Sequence, residues 1–285
     1  MKYLLKASLG WLLLLLVVCT QAQQVAKTNP TKTKEQVKGN ISMNNAAGAA
    51  MPGAYAMLMQ ISSDGTHDSI LNVQQFKIYT DHHFMYAHAL PGDSLAYYGI
   101  GTYRMENGRL FEYPFYTSAG GAHNDTFDIL ITKLGNGYVQ VINFPPDSQG
   151  RKYLLTEEYG NVSTPFSSPL DGAWKQVKTQ YIPKTGTATT DTHGTQFKVF
   201  QAGHFMWART SMDSATNKPI STFGYGTFEM QGPNKFNERT TNSTFRTALI
   251  GKPVMVQLKF IGTDMYEQTI DWPDGKSVET YQRLK

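Results

Sequence analysis

Residues 51–285 read as all-β, as two tandem eight-stranded antiparallel up-and-down barrels, and three observations predict this. The chain carries nearly the same stretch twice, QQFKIYTDHHFMYAH at 74–88 and TQFKVFQAGHFMWAR at 195–209. Phe76, Lys77, His83, Phe84, Met85 and Ala87 recur as Phe197, Lys198, His204, Phe205, Met206 and Ala208, all 121 positions later. A fixed offset of this kind marks a duplicated unit of domain size. Short runs of Tyr, Phe, Val, Ile and Thr also return about every ten residues between Gly and polar turns, the pattern of a sandwich or barrel. No stretch carries the period of about 3.6 residues that a helix needs.

Taken in order, the first unit offers strands at 54–61, 73–80, 84–90, 97–105, 109–116, 126–134, 138–144 and 151–160. The second offers 173–182, 195–201, 204–210, 222–230, 235–241, 253–261, 265–271 and 277–284. Alternation is clearest where Val254, Val256, Leu258 and Phe260 face one way and Met255, Gln257 and Lys259 the other. Short hairpin turns favour antiparallel neighbours, and closing eight of them removes the exposed edges and can enclose one small ligand. The copies match elsewhere too. Gly99-Ile100-Gly101-Thr102-Tyr103 aligns with Gly224-Tyr225-Gly226-Thr227-Phe228, Asn143-Phe144-Pro145 with Asp271-Trp272-Pro273, and Glu157-Glu158-Tyr159 with Glu279-Thr280-Tyr281. The units are expected at 51–162 and 170–285, joined by a linker at 163–169 that carries Pro165 and Pro169.

The N-terminal end reads as an export signal. Lys2 and Lys6 precede an unbroken apolar run from Leu12 to Val18, and Thr20-Gln21-Ala22 offers a small-residue cleavage site. The run is shorter than the roughly 20 apolar residues of a membrane helix, so no membrane span is expected. Leu16-Val17-Val18-Cys19 resembles a lipoprotein acylation box, but Val18 stands where that box wants a small residue. The expectation is therefore cleavage after residue 22, a disordered polar tether at 23–50, and a periplasmic or extracellular protein. Lipid anchoring through Cys19 is the alternative. Cys19 is the only cysteine, so cleavage leaves no thiol for disulfides, thiolate metal sites or nucleophilic catalysis. Losing Lys2 and Lys6 leaves 24 basic against the 22 acidic side chains. There is no basic block, and nucleic acid is not an expected partner.

The shared hairpin supplies most site candidates. A two-residue turn at Ala202-Gly203 puts Phe197, Val199, His204, Met206 and Ala208 on one face and Lys198, Phe200, Phe205, Trp207 and Arg209 on the other. Both faces carry apolar bulk. One should meet the lumen and the other a cover such as the sister unit, and a one-residue slip would exchange them. His83 and His204 are the one histidine pair the copies share, readable as ligand contacts or as partners of turn backbone. Tyr86 with Trp207 and Met85 with Met206 are candidates for lining or covering a pocket, together with Phe84 and Phe205. Glu112 and Glu238, both in the fifth strand or at its end, could be ligand carboxylates, and Arg209 on the hairpin is a further ligand candidate. Glu157 and Glu279 could pair with Arg151 or Lys276. His82, His83, His88 and His123 do not converge on a metal, because His82 and His88 would lie about 20 Å apart along a strand. No nucleophile motif, phosphate loop or metal-ligand spacing is present, so neither catalytic residues nor a cofactor are assigned.

Gly172-Ala173-Trp174 opens the second unit and Arg283 lies on its last strand. With the Phe197–Ala208 hairpin, this pairing resembles the lipocalin signature, and both units resemble the bacterial secreted lipocalin-like (calycin-type) domains of unknown function. The resemblance implies that Arg283 stacks on Trp174 to close one end of the barrel, with Tyr281 beside them. In the first unit Tyr55 takes the place of Trp174, but Asn161 replaces the arginine. The function implied is non-catalytic binding of a small apolar or amphipathic molecule in one or both barrels, with the barrels in mutual contact. The alternatives are an envelope-structural or interaction protein with filled barrels, and an acid–base enzyme using Glu112 or Glu238 with His83 or His204.

Overall fold

The computed structural model describes residues 51–89, 96–122, 124–191 and 194–285. The expected signal segment, the tether and His123 lie outside them. Among the described residues the regular structure is β, apart from one 3-10 turn at Thr247–Leu249.

The first unit contains β1 (Gly53–Ser63), β2 (Asp68–Leu71), β3 (Phe76–Tyr79), β4 (His83–Ala89), β5 (Ala96–Glu106), β6 (Arg109–Thr117), β7 (Gly121–Ala122), β8 (Phe127–Leu134), β9 (Gly137–Asn143) and β10 (Leu154–Asn161). Strands β1, β3, β4, β5, β6, β8, β9 and β10 pair antiparallel in that order, and β10 returns to β1 to close a barrel of eight. The second unit contains β11 (Gly172–Pro183), β12 (Thr189–Asp191), β13 (Thr195–Gln201), β14 (His204–Met212), β15 (Pro219–Met230), β16 (Lys235–Ser243), β17 (Pro253–Ile261), β18 (Met265–Trp272) and β19 (Gly275–Arg283). Here β19 closes on β11, again around eight strands.

Three short strands fall outside the expected set: β2, β7 and β12. They add to the sides of longer neighbours. Gly53 to Ala56 of β1 pair with β3, while Gln60 to Ser63 run on and pair with β2. In the second barrel β12 does the same to the far end of β11. Duplication reaches the irregularities as well. The register shifts between Met57 and Met59 in β1 and between Gln176 and Lys178 in β11, and again at Ile100/Gly101 in β5 and Tyr225/Gly226 in β15. Bulges bend a strand and sharpen its twist, which an eight-stranded cylinder requires.

The β13–β14 hairpin has the expected register, with Gln201 opposite His204 and Phe200 opposite Phe205. Its turn residues Ala202 and Gly203 take φ of 50° and 79°, the left-handed pair that suits the strand twist. The two faces now have owners. Phe197, Val199, Met206 and Ala208 join Ala54, Phe76, Ile78, Met85, Ala87, Tyr98 and Ile100 in one apolar core between the barrels. Lys198, Phe200 and Phe205 point into the second barrel. The seam is aromatic: Phe76 stacks on Tyr225 at 4.5 Å and on His204 at 5.7 Å, and Phe197 lies 5.4 Å from Tyr116. A hydrogen bond of 2.8 Å joins Tyr98 Oη to Thr210 Oγ1 across it.

At one end of the second barrel the Arg283 guanidinium lies 4.0 Å from the Trp174 ring. It donates to the carbonyls of Asp171 at 2.7 Å and Pro169 at 2.9 Å, while Trp174 Nε1 donates to Leu170 O at 2.7 Å. Gly172 sits beneath this stack at φ 128°, and a Cβ there would stand 2.5 Å from Arg283 Nη1. Gly172→Ala therefore strains the backbone and displaces the guanidinium together. The expected cost is about 2 kcal/mol, read as a lower urea midpoint with unchanged m-value. Tyr281 packs one layer further in, stacked on Tyr266 at 4.9 Å. In the first barrel Tyr55 meets Tyr79 and Tyr138 edge-on at 6.0 and 5.1 Å, and Asn161 Oδ1 accepts from the backbone of Ser163.

Candidate functional site

Each barrel buries the same set of charged and amide side chains, drawn from positions the duplication preserves. In the second barrel Lys198 Nζ donates to Glu238 Oε1 at 2.5 Å and to Gln268 Oε1 at 3.0 Å. Gln268 Nε2 passes on to Glu279 Oε2 at 2.8 Å, Tyr281 Oη donates to the same oxygen at 2.6 Å, and Gln196 Nε2 donates to Tyr281 Oη at 2.5 Å. The ammonium lies 5.1–6.0 Å from the rings of Phe200, Phe205, Phe236 and Tyr281.

The first barrel repeats the pattern with Lys77, Glu112, Gln140, Glu157, Tyr159 and Gln75. Lys77 Nζ donates to Glu112 Oε1 at 2.9 Å, and Tyr79 Oη donates to the same oxygen at 2.5 Å. Glu157 accepts from Gln60 Nε2 at 2.6 Å, from Gln140 Nε2 at 2.5 Å and from Tyr159 Oη at 2.9 Å. Gln75 Nε2 donates to Tyr159 Oη, which leaves Gln75 Oε1 to accept from His88 Nδ1 at 2.8 Å. Burial lifts the Glu157 carboxyl above its ordinary value, against the pull of Lys77 and of the Gln60 and Tyr159 donors. Burial also pushes His88 down to about 4, so its ring is neutral near pH 7.

A cavity of about 160 Å³ adjoins this network in the first barrel. Its walls are mainly apolar, with Phe84, Tyr86, Phe127, Ile129, Ile142 and Phe144 among them, and Lys77, Glu112, Gln140 and Glu157 form its polar part. Leu71, Val73, Tyr97 and the exposed Ala119 belong to its rim. Tyr86 lies flat against Gly99, where any Cβ would stand 2.6 Å from the ring. One fully buried polar atom in this wall is left over. Gln140 Oε1 is buried with no hydrogen-bond partner.

The second barrel is built differently over the same strands. Trp207 replaces Tyr86 and meets Phe245 edge-on at 6.2 Å, and Arg246 lies 4.0 Å from the Trp272 ring and 5.6 Å from Phe245. Arg209, in the place of His88, bonds Asp191 at 2.6 Å.

The sequence candidates therefore divide between two places. Tyr86 and Glu112 lie in the cavity wall together with Phe84, and Glu238 lies in the matching network of the second barrel. Met85 and Met206 belong to the core between the barrels. His83 meets Phe115 at 6.3 Å, and His204 stacks on Phe76 and bonds its own turn at Ala202 O at 3.3 Å. Trp207 and Arg209 lie on the lumen side of β14, away from the first barrel's cavity. Glu112 and His83 thus sit on opposite sides of the first barrel's wall and do not form an acid–base couple. Glu157 and Glu279 do not pair with Arg151 or Lys276, because both carboxylates turn inward, whereas Arg151 pairs with Asp147 at 2.8 Å. Among the described residues no group of three or more His, Cys, Asp or Glu could hold a metal ion, and no helix is long and apolar enough to cross a membrane.

The residues missed in the sequence were Lys77, Lys198 and the glutamines. Lys77 and Lys198 were visible as a repeated Phe-Lys pair, and Gln75/Gln196 and Gln140/Gln268 as repeated glutamines in strands. Polar residues retained at matched inward positions of both copies were the available signal.

The second unit is similar to a domain family of unknown function, DUF4488, whose model matches residues 169–285. No curated protein matches the chain. Among solved structures, a protein of unknown function from the DUF3598 family of Nostoc punctiforme is 14% identical, with a TM-score of 0.25 over 82% of this chain and 96% of that one. A Bacteroides fragilis protein, provisionally named as an outer membrane protein, is 10% identical, with a TM-score of 0.25 over 82% of this chain and 98% of that one. Neither likeness bears on what this chain does.

Proposed function

We propose that the protein is an exported, lipocalin-like binder that holds a small apolar or amphipathic molecule in its first barrel. The supporting observation is the first barrel's cavity, which combines aromatic and aliphatic walls with a hydrogen-bonded polar cluster. Binding pockets have this composition, an apolar body with a few polar groups that set orientation. At about 160 Å³ the space suits a ligand of one ring or a short chain; a dry engineered cavity of about 150 Å³ takes benzene. The second barrel, with Trp207, Phe245, Arg246 and Trp272 gathered on one side and Lys198 spanning its network, acts as the structural partner. The leader at 1–22 is the export signal, 23–50 is the tether, and the units divide at the 163–169 linker.

Native mass spectrometry of the mature chain against a library of small aromatic and short-chain metabolites tests this reading. Retention of at least one compound by the wild type is expected. Ala119→Trp, on the exposed rim, is expected to weaken that retention more than tenfold while shifting stability by no more than about 0.5 kcal/mol, as surface changes do. Retention that survives Ala119→Trp unchanged would place the ligand elsewhere. A wild type that keeps nothing favours the other reading, a structural or interaction module.

A further inference from the structure

The comparison between the two barrels specifies the chemistry of the ligand's head. Gln140 Nε2 donates to Glu157, so the orientation of the amide is set and its Oε1 is the atom without a partner. The residue is 1% exposed, and that oxygen belongs to a side chain of the cavity wall. A buried acceptor left unpaired carries a substantial free-energy penalty. The duplicated copy shows what satisfies it: Gln268 Oε1 accepts from an ammonium, Lys198 Nζ, at 3.0 Å. Lys77 reaches only Glu112, at 2.9 Å.

A second acceptor is open nearby. Both hydrogen bonds into Glu112 land on Oε1, and among the described residues none reaches Oε2. The charge balance of the wall points the same way, with Glu112 and Glu157 against Lys77 alone. Its histidine, His88, is neutral near pH 7.

We infer that the cavity of the first barrel selects a small molecule carrying a hydrogen-bond-donating, cationic head, a primary amine on an aromatic or aliphatic body, and rejects carboxylates. The ammonium donates to Gln140 Oε1 and Glu112 Oε2, completing the arrangement that Lys198 completes in the sister barrel. This rests on the binding role proposed above and goes beyond it by naming the head group.

Four probes with one body separate the possibilities: 2-phenylethylamine, 2-phenylethanol, ethylbenzene and phenylacetate, titrated calorimetrically into the full mature chain at pH 7. The amine is expected to bind about ten- to a hundredfold tighter than ethylbenzene, the scale of a hydrogen bond to a charged group. The alcohol should fall between them and phenylacetate should bind weakest. Gln140→Met should bring the amine within about threefold of ethylbenzene. Equal binding of amine and ethylbenzene would show that Lys77 or water already serves Gln140, and tighter binding of phenylacetate would show that Lys77 receives the head. Either result overturns the amine preference and leaves the cavity as a binding site. Binding of none of the four, with an empty library screen, overturns the binding role itself.

Discussion

Lys198→Met is expected to destabilise the protein by about 3–5 kcal/mol, the cost of stranding one member of a buried ion pair. The lysine is 2% exposed and the Glu238 side chain opposite it is 9% exposed, at 2.5 Å. Without the ammonium, Glu238 would be a buried carboxylate stripped of its cation, and Gln268 Oε1 would lose its donor. Removing both charges has a different result. Lys198→Met with Glu238→Leu replaces the pair by apolar volume and should regain most of the loss, since buried pairs are often neutral relative to hydrophobic replacements. Urea unfolding followed by tryptophan fluorescence measures this directly, because Trp174, Trp207 and Trp272 all lie in the second barrel. A loss below about 1 kcal/mol for the single variant is the signature of a solvated pair and would contradict the burial of Lys198 and Glu238.

Acidification from pH 6.5 to 4 is the second large effect. Burial pushes both His88 and His204 down to about 4, and lowers His83 as well. A histidine whose folded value lies below its unfolded one binds fewer protons when folded. Its contribution is present above about pH 6.5 and is lost as pH falls through the folded value. For His204, between an unfolded value near 6.5 and a folded value of about 4, the loss is about 3 kcal/mol. It is smaller for His88, which is partly open to the cavity. Protonating His204 also places a charge against Phe76 on the seam between the barrels. Glu157 and Asp171, both raised by burial, act in the opposite sense, because the folded state takes up their protons first. Urea midpoints measured at pH 7 and pH 4.5 should fall steeply for the wild type. They should fall much less for His88→Gln/His204→Gln, and parallel falls in the two proteins would remove the histidines as the cause.

Local patterning carried most of the architecture. Val254 to Phe260 alternate in the sequence and alternate in the barrel, and β13 and β17 keep the bounds that their apolar runs suggested. The extra strands β2, β7 and β12 escaped because they are two to four residues long. They add to neighbours already committed to the barrel, and an addition to a free edge needs no hydrophobic period. The site was harder to read. Glu157 and Glu279 resemble solvated strand carboxylates in one dimension, since nothing along the chain announces the glutamine and tyrosine donors that let them turn inward. Those donors arrive from β1, β9 and β10 for Glu157 and from β18 and β19 for Glu279, up to 97 residues away in the case of Gln60 and Glu157.

The amino-acid sequence alone settled that the unit is doubled, that each copy is an antiparallel eight-strand cylinder, and how the shared hairpin is registered. Those properties depend on period, turn chemistry and repetition, all of which are local. Which face of that hairpin looks inward was decided only when the two cylinders met. Alternate side chains on a strand are equivalent until something covers one set, and here Phe197, Val199, Met206 and Ala208 are covered by the sister barrel while Lys198 is left to find its carboxylate inside.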